Sequence, residues 1–116
     1  MAVFTITEME SSGFPVICFE GYCAAEGGKS LLKKVHEVLQ SKRNRIIIDF
    51  VKCTIINSPG MASLLDTTML IVEDFKGKCV LIGMDNSKKQ FLQMTGVLPL
   101  AATAETIEEA CRLMGH

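Results

Sequence analysis

The sequence predicts an α/β domain with a small mixed, mostly parallel β-sheet and four helices packed mainly on one face of it. Strand-like apolar segments alternate along the chain with segments of helical periodicity, as in folds built on crossover connections. The run "RIIIDFV" at residues 45–51 is apolar at nearly every position, which is typical of a strand covered on both faces. Two strand-like segments joined by the turn "SSGF" indicate an opening antiparallel hairpin.

The local patterns predict the order β-β-α-β-α-β-α-β-α. Strands are predicted at residues 3–9, 15–22, 45–51, 77–84 and 98–103, and helices at 23–42, 59–75, 86–94 and 104–116. Asn86 or Ser87 is expected to cap the third helix, and Gly96 to end it. Pro99 makes the last strand an edge strand or places it at a strand start. The residues expected to face inward in the last helix are Ile107, Ala110, Cys111 and Met114.

Composition indicates one globular domain over residues 1–116, with 48% apolar and 22% charged residues. The formal net charge is -1 and no basic stripe is present, which argues against a nucleic-acid partner. No apolar run is as long as the ~20 residues that a membrane span needs, and the N-terminus lacks the features of a signal peptide. A cytosolic protein is therefore expected.

The five cysteines are scattered, odd in number and without a C-x-x-C pair. This spacing argues against a disulfide framework or a zinc site and favours small buried thiols in a reducing compartment. An exposed redox-active thiol, with Cys23 as the candidate, is the alternative.

Three features that suggest an enzyme do not form a complete motif. "GGKS" at residues 27–30 matches only half of a phosphate-binding loop, because Cys23 stands where the first glycine is required. His36 has no triad motif to accompany it and is expected to be a surface residue. The acidic residues Asp66, Glu73 and Asp74 share a helix face that is expected to be solvated. No cofactor, metal or catalytic residue is therefore predicted.

The stretch "IINSPGMASLL" at residues 55–65 joins a strand to a helix. Proline is favoured in the first turn of a helix, so a helix beginning at Pro59 would place Ser58 at the N-cap. The same position suits a phosphorylation switch, because a helix N-terminus has free N–H groups and a positive dipole end. Cap and switch are both open from the residues alone.

The helix after Ser58 also carries a candidate docking patch. At about 100° per residue, Leu70 falls in the middle of the polar side that holds Asp66 and Thr67, with Met69 and Ala62 at its edge. Exposed apolar residues on the same helix as Ser58 indicate a small protein-binding surface.

The segment "IIIDFVKCTIINSPGMASLLDTTMLI" resembles the central motif of STAS domains, the family of bacterial anti-sigma factor antagonists. That motif is an apolar strand ending in Asp, a loop, then Ile/Met-Asp-Ser-small-Gly-Leu and a helix. The matching residues here are Ile56, Asn57, Ser58, Pro59, Gly60 and Met61. The tail "KKQFLQMTGVLPLAATAETIEEA" is also similar to the family, so the resemblance spans most of the chain.

The resemblance implies a non-enzymatic STAS domain whose Ser58 is phosphorylated by a partner that is both anti-sigma factor and GHKL-type serine kinase. The unphosphorylated form would bind that partner and free the sigma factor. Phosphorylation would end this binding, and a PP2C-type phosphatase would restore the unphosphorylated form. The implied contact residues are Asn57, Ser58, Pro59, Gly60, Met61, Ala62, Met69 and Leu70. A monomer or weak dimer without direct contact to nucleic acid or membrane is expected.

The chain departs from the family pattern at two positions, with Asn57 in place of Asp and Pro59 in place of a small residue. The Asp that the family often has at the start of the first helix is also missing. The phosphorylation switch is the leading hypothesis, and the alternative is a STAS scaffold or stress-complex subunit with a different partner in which Ser58 is only a cap. A small-molecule-binding α/β domain is the third hypothesis, which the lack of any acid–base motif disfavours.

Overall fold

In a computed structural model of the chain, which describes residues 3–115, one mixed sheet carries helices on both faces. The strands are β1 (Phe4–Ser11), β2 (Phe14–Cys23), β3 (Arg45–Asp49), β4 (Cys53–Ile56), β5 (Lys78–Ile82) and β6 (Ala102–Ala104). The helices are α1 (Ala25–Gln40), α2 (Ser58–Met69), α3 (Asn86–Thr95) and α4 (Ile107–Gly115), and a π-helical segment (Leu70–Asp74) continues α2. No helix within the described residues is long and apolar enough to cross a bilayer.

The sheet has the strand order β1-β2-β3-β5-β6, and β4 also pairs with β2. Only the hairpin of β1 and β2 is antiparallel, and all other pairs are parallel. The helices supply the crossovers between parallel strands, as the alternation of patterns predicted. The predicted mixed, mostly parallel sheet is confirmed.

Strand β4 was not predicted as a separate element. The chain turns after β3, where the Asp49 side chain accepts the Val51 N–H at 2.9 Å and the Cys53 N–H bonds to the Phe50 carbonyl at 2.9 Å. Both β3 and β4 then pair with β2, β3 beside its first half and β4 beside its end. The turn therefore brings the start of α2 close to the end of β2.

Two apolar layers enclose the sheet. The larger layer lies between the sheet and α1, α2 and α3, and it includes Ile46 and Ile48 of β3. The smaller layer buries Ile47 of the same strand against Ala110 and Met114 of α4. This alternation follows from the period of two along a strand. The prediction of helices mainly on one face is confirmed for three of them, and α4 covers the other face.

The C-terminal half differs from prediction in two details. The α3 cap is Asp85 and not Asn86 or Ser87, because the Asp85 carboxylate accepts the Lys88 N–H at 2.9 Å. That bond is the main cause that lowers the pKa of the Asp85 carboxyl below its ordinary value. Gly96 ends α3 with φ +90°, as predicted. The last strand covers only residues 102–104, and Pro99 lies in the turn before it.

Glycines in the first turns of α1 and α2 allow close packing that any side chain would prevent. A Cβ on Gly60 would lie 2.1 Å from the Cys23 carbonyl oxygen, and a Cβ on Gly28 would lie 2.5 Å from the Ser63 Cβ. Both glycines of α1 are buried; Gly27 packs against Phe19 of β2, and Gly28 lets α1 and α2 approach each other.

We expect Gly60→Ala to lower the free energy of unfolding by roughly 1–3 kcal/mol, the usual range for overpacking against atoms that cannot move aside. The matched control is Gly115→Ala, where the nearest atom to a new Cβ is 4.0 Å away. Urea unfolding of both variants checks this expectation. Equal stability of Gly60→Ala and the parent protein would contradict the close contact with Cys23.

Candidate functional site

The first turns of α1 and α2 lie side by side at one end of the sheet. Strands β2 and β4 run parallel, and each leads directly into a helix, so both helices begin at the same edge. A Cβ on Gly28 of α1 would be 3.5 Å from the Cα of Gly60 in α2. Two positive dipole ends therefore meet here, an arrangement that favours negative charge.

Asn57, and not Ser58, is the N-cap of α2, so the predicted cap was wrong. The Asn57 side-chain oxygen accepts the Gly60 N–H at 2.9 Å, and its carbonyl accepts the Met61 N–H at 2.8 Å. Ser58 is the first residue of the helix and Pro59 the second. The physical reason is that Asn caps helices as well as Ser does, and the missing N–H of proline is harmless anywhere in the first turn.

Asn57 also ties the helix start to the end of β2. Its backbone N–H donates to the Cys23 carbonyl at 3.1 Å, and its side-chain amide donates to the Tyr22 hydroxyl at 3.1 Å. Together with the cap bond, these contacts satisfy the backbone and both side-chain polar atoms of one residue. The conformation of the loop before Ser58 is therefore set by Asn57.

Ser58 is exposed and makes no side-chain hydrogen bond to any residue in the range 3–115. Pro59, next to it, is also exposed. The Ser58 hydroxyl is therefore accessible at the helix N-terminus and is not engaged by another residue in the described range. An incoming phosphoryl group could be accepted there without breaking any contact of the fold.

An apolar surface that the sequence did not reveal adjoins Ser58. Tyr22 of β2 and Ile55 of β4 are register partners, and 37% and 57% of their surfaces are exposed. The sequence feature that could have predicted this surface is the pair Ile55-Ile56. Consecutive residues of a strand face opposite sides of the sheet, so one of the two isoleucines had to be exposed once β4 was recognised as a strand.

The residues predicted to contact a partner differ in their exposure. Ser58, Pro59, Ala62 and Met69 are exposed, and Asn57 and Leu70 are half-buried. Gly60 and Met61 are buried, so they position the helix and offer no contact area.

The predicted facing of α2 was wrong at two positions. Thr67, expected among the polar residues, is fully buried and donates its hydroxyl to the Ser63 carbonyl at 2.8 Å. Leu70 packs partly against the core instead of lying exposed. Ser63, Thr67 and Leu70 lie four and three residues apart on one face of α2, and Ser63 on that face abuts Gly28 of α1. Packing of α1 on this face therefore covers residues that the pattern placed on the polar side. The helix continues as a π-helix only after this point, with the Phe75 N–H bonded to the Leu70 carbonyl at 3.1 Å.

The other candidate sites stay unassigned. His36 is exposed, as expected, and its ring lies edge-on to Phe75 at 6.1 Å. The proposed exposed thiol at Cys23 was wrong, because Cys23 is fully buried. Burial, with a smaller effect of Cys53, raises the pKa of the Cys23 thiol to about 12. Within residues 3–115, no three His, Cys, Asp or Glu side chains are grouped as a metal site.

We expect Asn57→Ala to lower the free energy of unfolding by about 0.5–2 kcal/mol, because it removes the cap bond to Gly60. Ser58→Ala should change it by less than about 0.5 kcal/mol, since no contact is lost. Asn57→Asp is the matched control, because it keeps the capping oxygen. Urea unfolding of the three variants distinguishes them, and a larger loss for Ser58→Ala than for Asn57→Ala would contradict the assigned cap.

Comparison with known proteins identifies the fold. No family model matches the sequence, and no curated protein matches it significantly. An anti-sigma factor antagonist from Mycobacterium paratuberculosis is similar in structure, with a TM-score of 0.81, 15% identity and coverage of 97% of this chain and 95% of that one.

Two further structures are similar over nearly the whole chain. The Bacillus cell fate determinant SpoIIAA in its phosphorylated form has a TM-score of 0.69 and 22% identity, and the match covers 95% of this chain and 97% of that one. A chain of the stressosome, described as a signal integration and transduction hub, has a TM-score of 0.68 and 17% identity, and the match covers 93% and 95%. The chain therefore has the STAS fold of the anti-sigma factor antagonists.

Proposed function

We propose that this protein is an anti-sigma factor antagonist that is controlled by phosphorylation of Ser58. The observation that carries the proposal is that Asn57 caps α2, which leaves the neighbouring Ser58 hydroxyl exposed and without a bond. Because the helix start does not need Ser58, the cap explanation for this serine no longer holds. The STAS fold, shared with a protein described in a phosphorylated form, supports the proposal.

A phosphoryl group on Ser58 would change the surface and leave the fold intact. It carries about -1.5 to -2 charges at pH 7. The dipole of α2, with that of α1 beside it, would stabilise it by about 0.3–2 kcal/mol. Since Ser58 makes no contact in the described part of the chain, no native bond has to break.

The proposed partner surface consists of Ser58, Pro59 and Ala62 on α2 and of Tyr22 and Ile55 on the strands. These residues are exposed, and together they form an apolar surface around one hydroxyl. An anti-sigma factor and serine kinase of the GHKL ATPase type would bind here and release its sigma factor. After phosphorylation, the same interface would have to desolvate a dianion, which ends binding.

The Asn at position 57 is compatible with this cycle. Asn and Asp present the same capping oxygen, so the substitution leaves the backbone before Ser58 unchanged and removes one negative charge. Less negative charge beside Ser58 lowers the repulsion that an incoming phosphate meets. A PP2C-type phosphatase would reset the switch, and the domain would act in the cytoplasm as a binding module without catalytic activity of its own.

A STAS subunit of a larger signalling complex is the second candidate. It is favoured by the similarity to a chain of the stressosome. In that case the partner surface would be used in binding without a covalent change at Ser58.

We expect incubation with ATP and the cognate serine kinase to add one phosphoryl group to the protein, at Ser58. Intact-mass analysis followed by peptide mapping measures it, with Ser58→Ala as the control that stays unmodified. No modification, or modification of Ser63 with Ser58 untouched, would leave the second candidate.

The charge mechanism makes a separate prediction for binding to that kinase. Ser58→Ala should keep the affinity, and Ser58→Asp should weaken it by at least about tenfold, because a buried unpaired charge costs several kcal/mol. Ser58→Asn is the matched control, with the size of Asp and no charge. Calorimetry with the purified kinase measures all three, and equal weakening by Asn and Asp would show that size, and not charge, is responsible.

A further inference from the structure

A groove of about 640 Å³ lies between α1 and the second half of α2. Both helices begin at the same edge of the sheet and lie against each other at their first turns. The groove follows the surface where the two helices lie side by side. We call it the α1–α2 groove.

The two walls of the α1–α2 groove carry opposite charge. Lys29 and Lys33 of α1 line one wall, and Asp66 and Asp74 line the other. All four side chains are exposed, and none forms a salt bridge with another residue in the range 3–115. Their charges are thus available to a molecule lying in the groove.

The floor of the α1–α2 groove is apolar. It consists of Leu32, Met69 and Leu70, of which Met69 is 40% exposed. Leu70 packs partly against the core, so it contributes to the floor and not to the outer surface of α2. An apolar floor between charged walls fits an amphipathic helix with one apolar ridge.

The apolar floor of the α1–α2 groove lies further along α2 than Ser58 does, whereas Lys29, next to Gly28 in α1, lies near the start of α2. At about 1.5 Å per residue, Ala62 is about 6 Å and Met69 about 16 Å along the helix from Ser58. Exposed charges are screened over about 8 Å at physiological ionic strength. A phosphate on Ser58 would therefore act on Ala62 and have little effect at Met69.

We propose that the α1–α2 groove docks an amphipathic helix of a partner protein. The apolar ridge of that helix lies on Met69 and Leu70, its acidic flank faces Lys29 and Lys33, and its basic flank faces Asp66 and Asp74. The opposite charges of the walls fix the direction in which the helix lies.

The test uses a synthetic amphipathic peptide of about 16 residues, roughly four helical turns, with a leucine ridge, Glu on one flank and Lys on the other. A control peptide of identical composition has Glu and Lys mixed on both flanks. We expect the segregated peptide to bind about tenfold more tightly, since only it can satisfy both walls at once. Equal affinity of the two peptides would overturn the proposal.

Variants of the full chain locate the binding. The double variant Lys29→Glu with Lys33→Glu should fold normally, because both positions are exposed, and circular dichroism checks this. It should bind the segregated peptide about tenfold more weakly. Adding Asp66→Lys and Asp74→Lys exchanges the charges of the two walls. This fourfold variant should regain the affinity, because a peptide bound in the opposite direction places its Glu flank on the new Lys wall and its Lys flank on the new Glu wall. A spin label on the peptide N-terminus should then broaden amide signals at the opposite end of α1.

Sedimentation of the parent protein tests whether a second copy of this chain occupies the groove instead. If the parent protein is a dimer and the double variant Lys29→Glu with Lys33→Glu is a monomer, a second copy of this chain fills the groove. That result would contradict the proposal.

Discussion

The contact between the start of α2 and the end of β2 is the constraint on which the rest of the site depends. Gly60 has no room for a Cβ beside the Cys23 carbonyl, and the Asn57 N–H donates to that same oxygen. This contact brings the N-termini of α1 and α2 together and leaves the first residue of α2 outside. The exposure of Ser58 is therefore a consequence of backbone packing.

Because of the same contact, the residues that hold the start of α2 in place are different from the residue that we propose is phosphorylated. Asn57 satisfies the helix end and Gly60 allows the close approach, while Ser58 between them bonds to nothing in the described chain. A residue without contacts can gain and lose a charged group at little cost to folding. The apolar floor of the α1–α2 groove lies further along α2, so one helix can carry two contact surfaces.

Much of the fold could be predicted from the sequence, because strand and helix patterns alternate and one motif marks the strand-to-helix junction. The cap could not be assigned, since Asn57 and Ser58 are both good caps and only the Gly60 N–H position distinguishes them. Strand β4 depends on sharing β2 with β3, a tertiary pairing. The helical period also could not show that α1 covers the face of α2 that holds Thr67 and Leu70, because that packing is tertiary.

The central claim is that phosphate on Ser58 alters the surface of the protein and not its fold. Comparing amide chemical shifts of the phosphorylated and unphosphorylated protein tests it most directly. We expect changes confined to the first turns of α1 and α2 and the end of β2, with the amides of β3 and β5 unmoved. Changes spread through those central strands would contradict the claim, because they would mean that the phosphate rearranges the core.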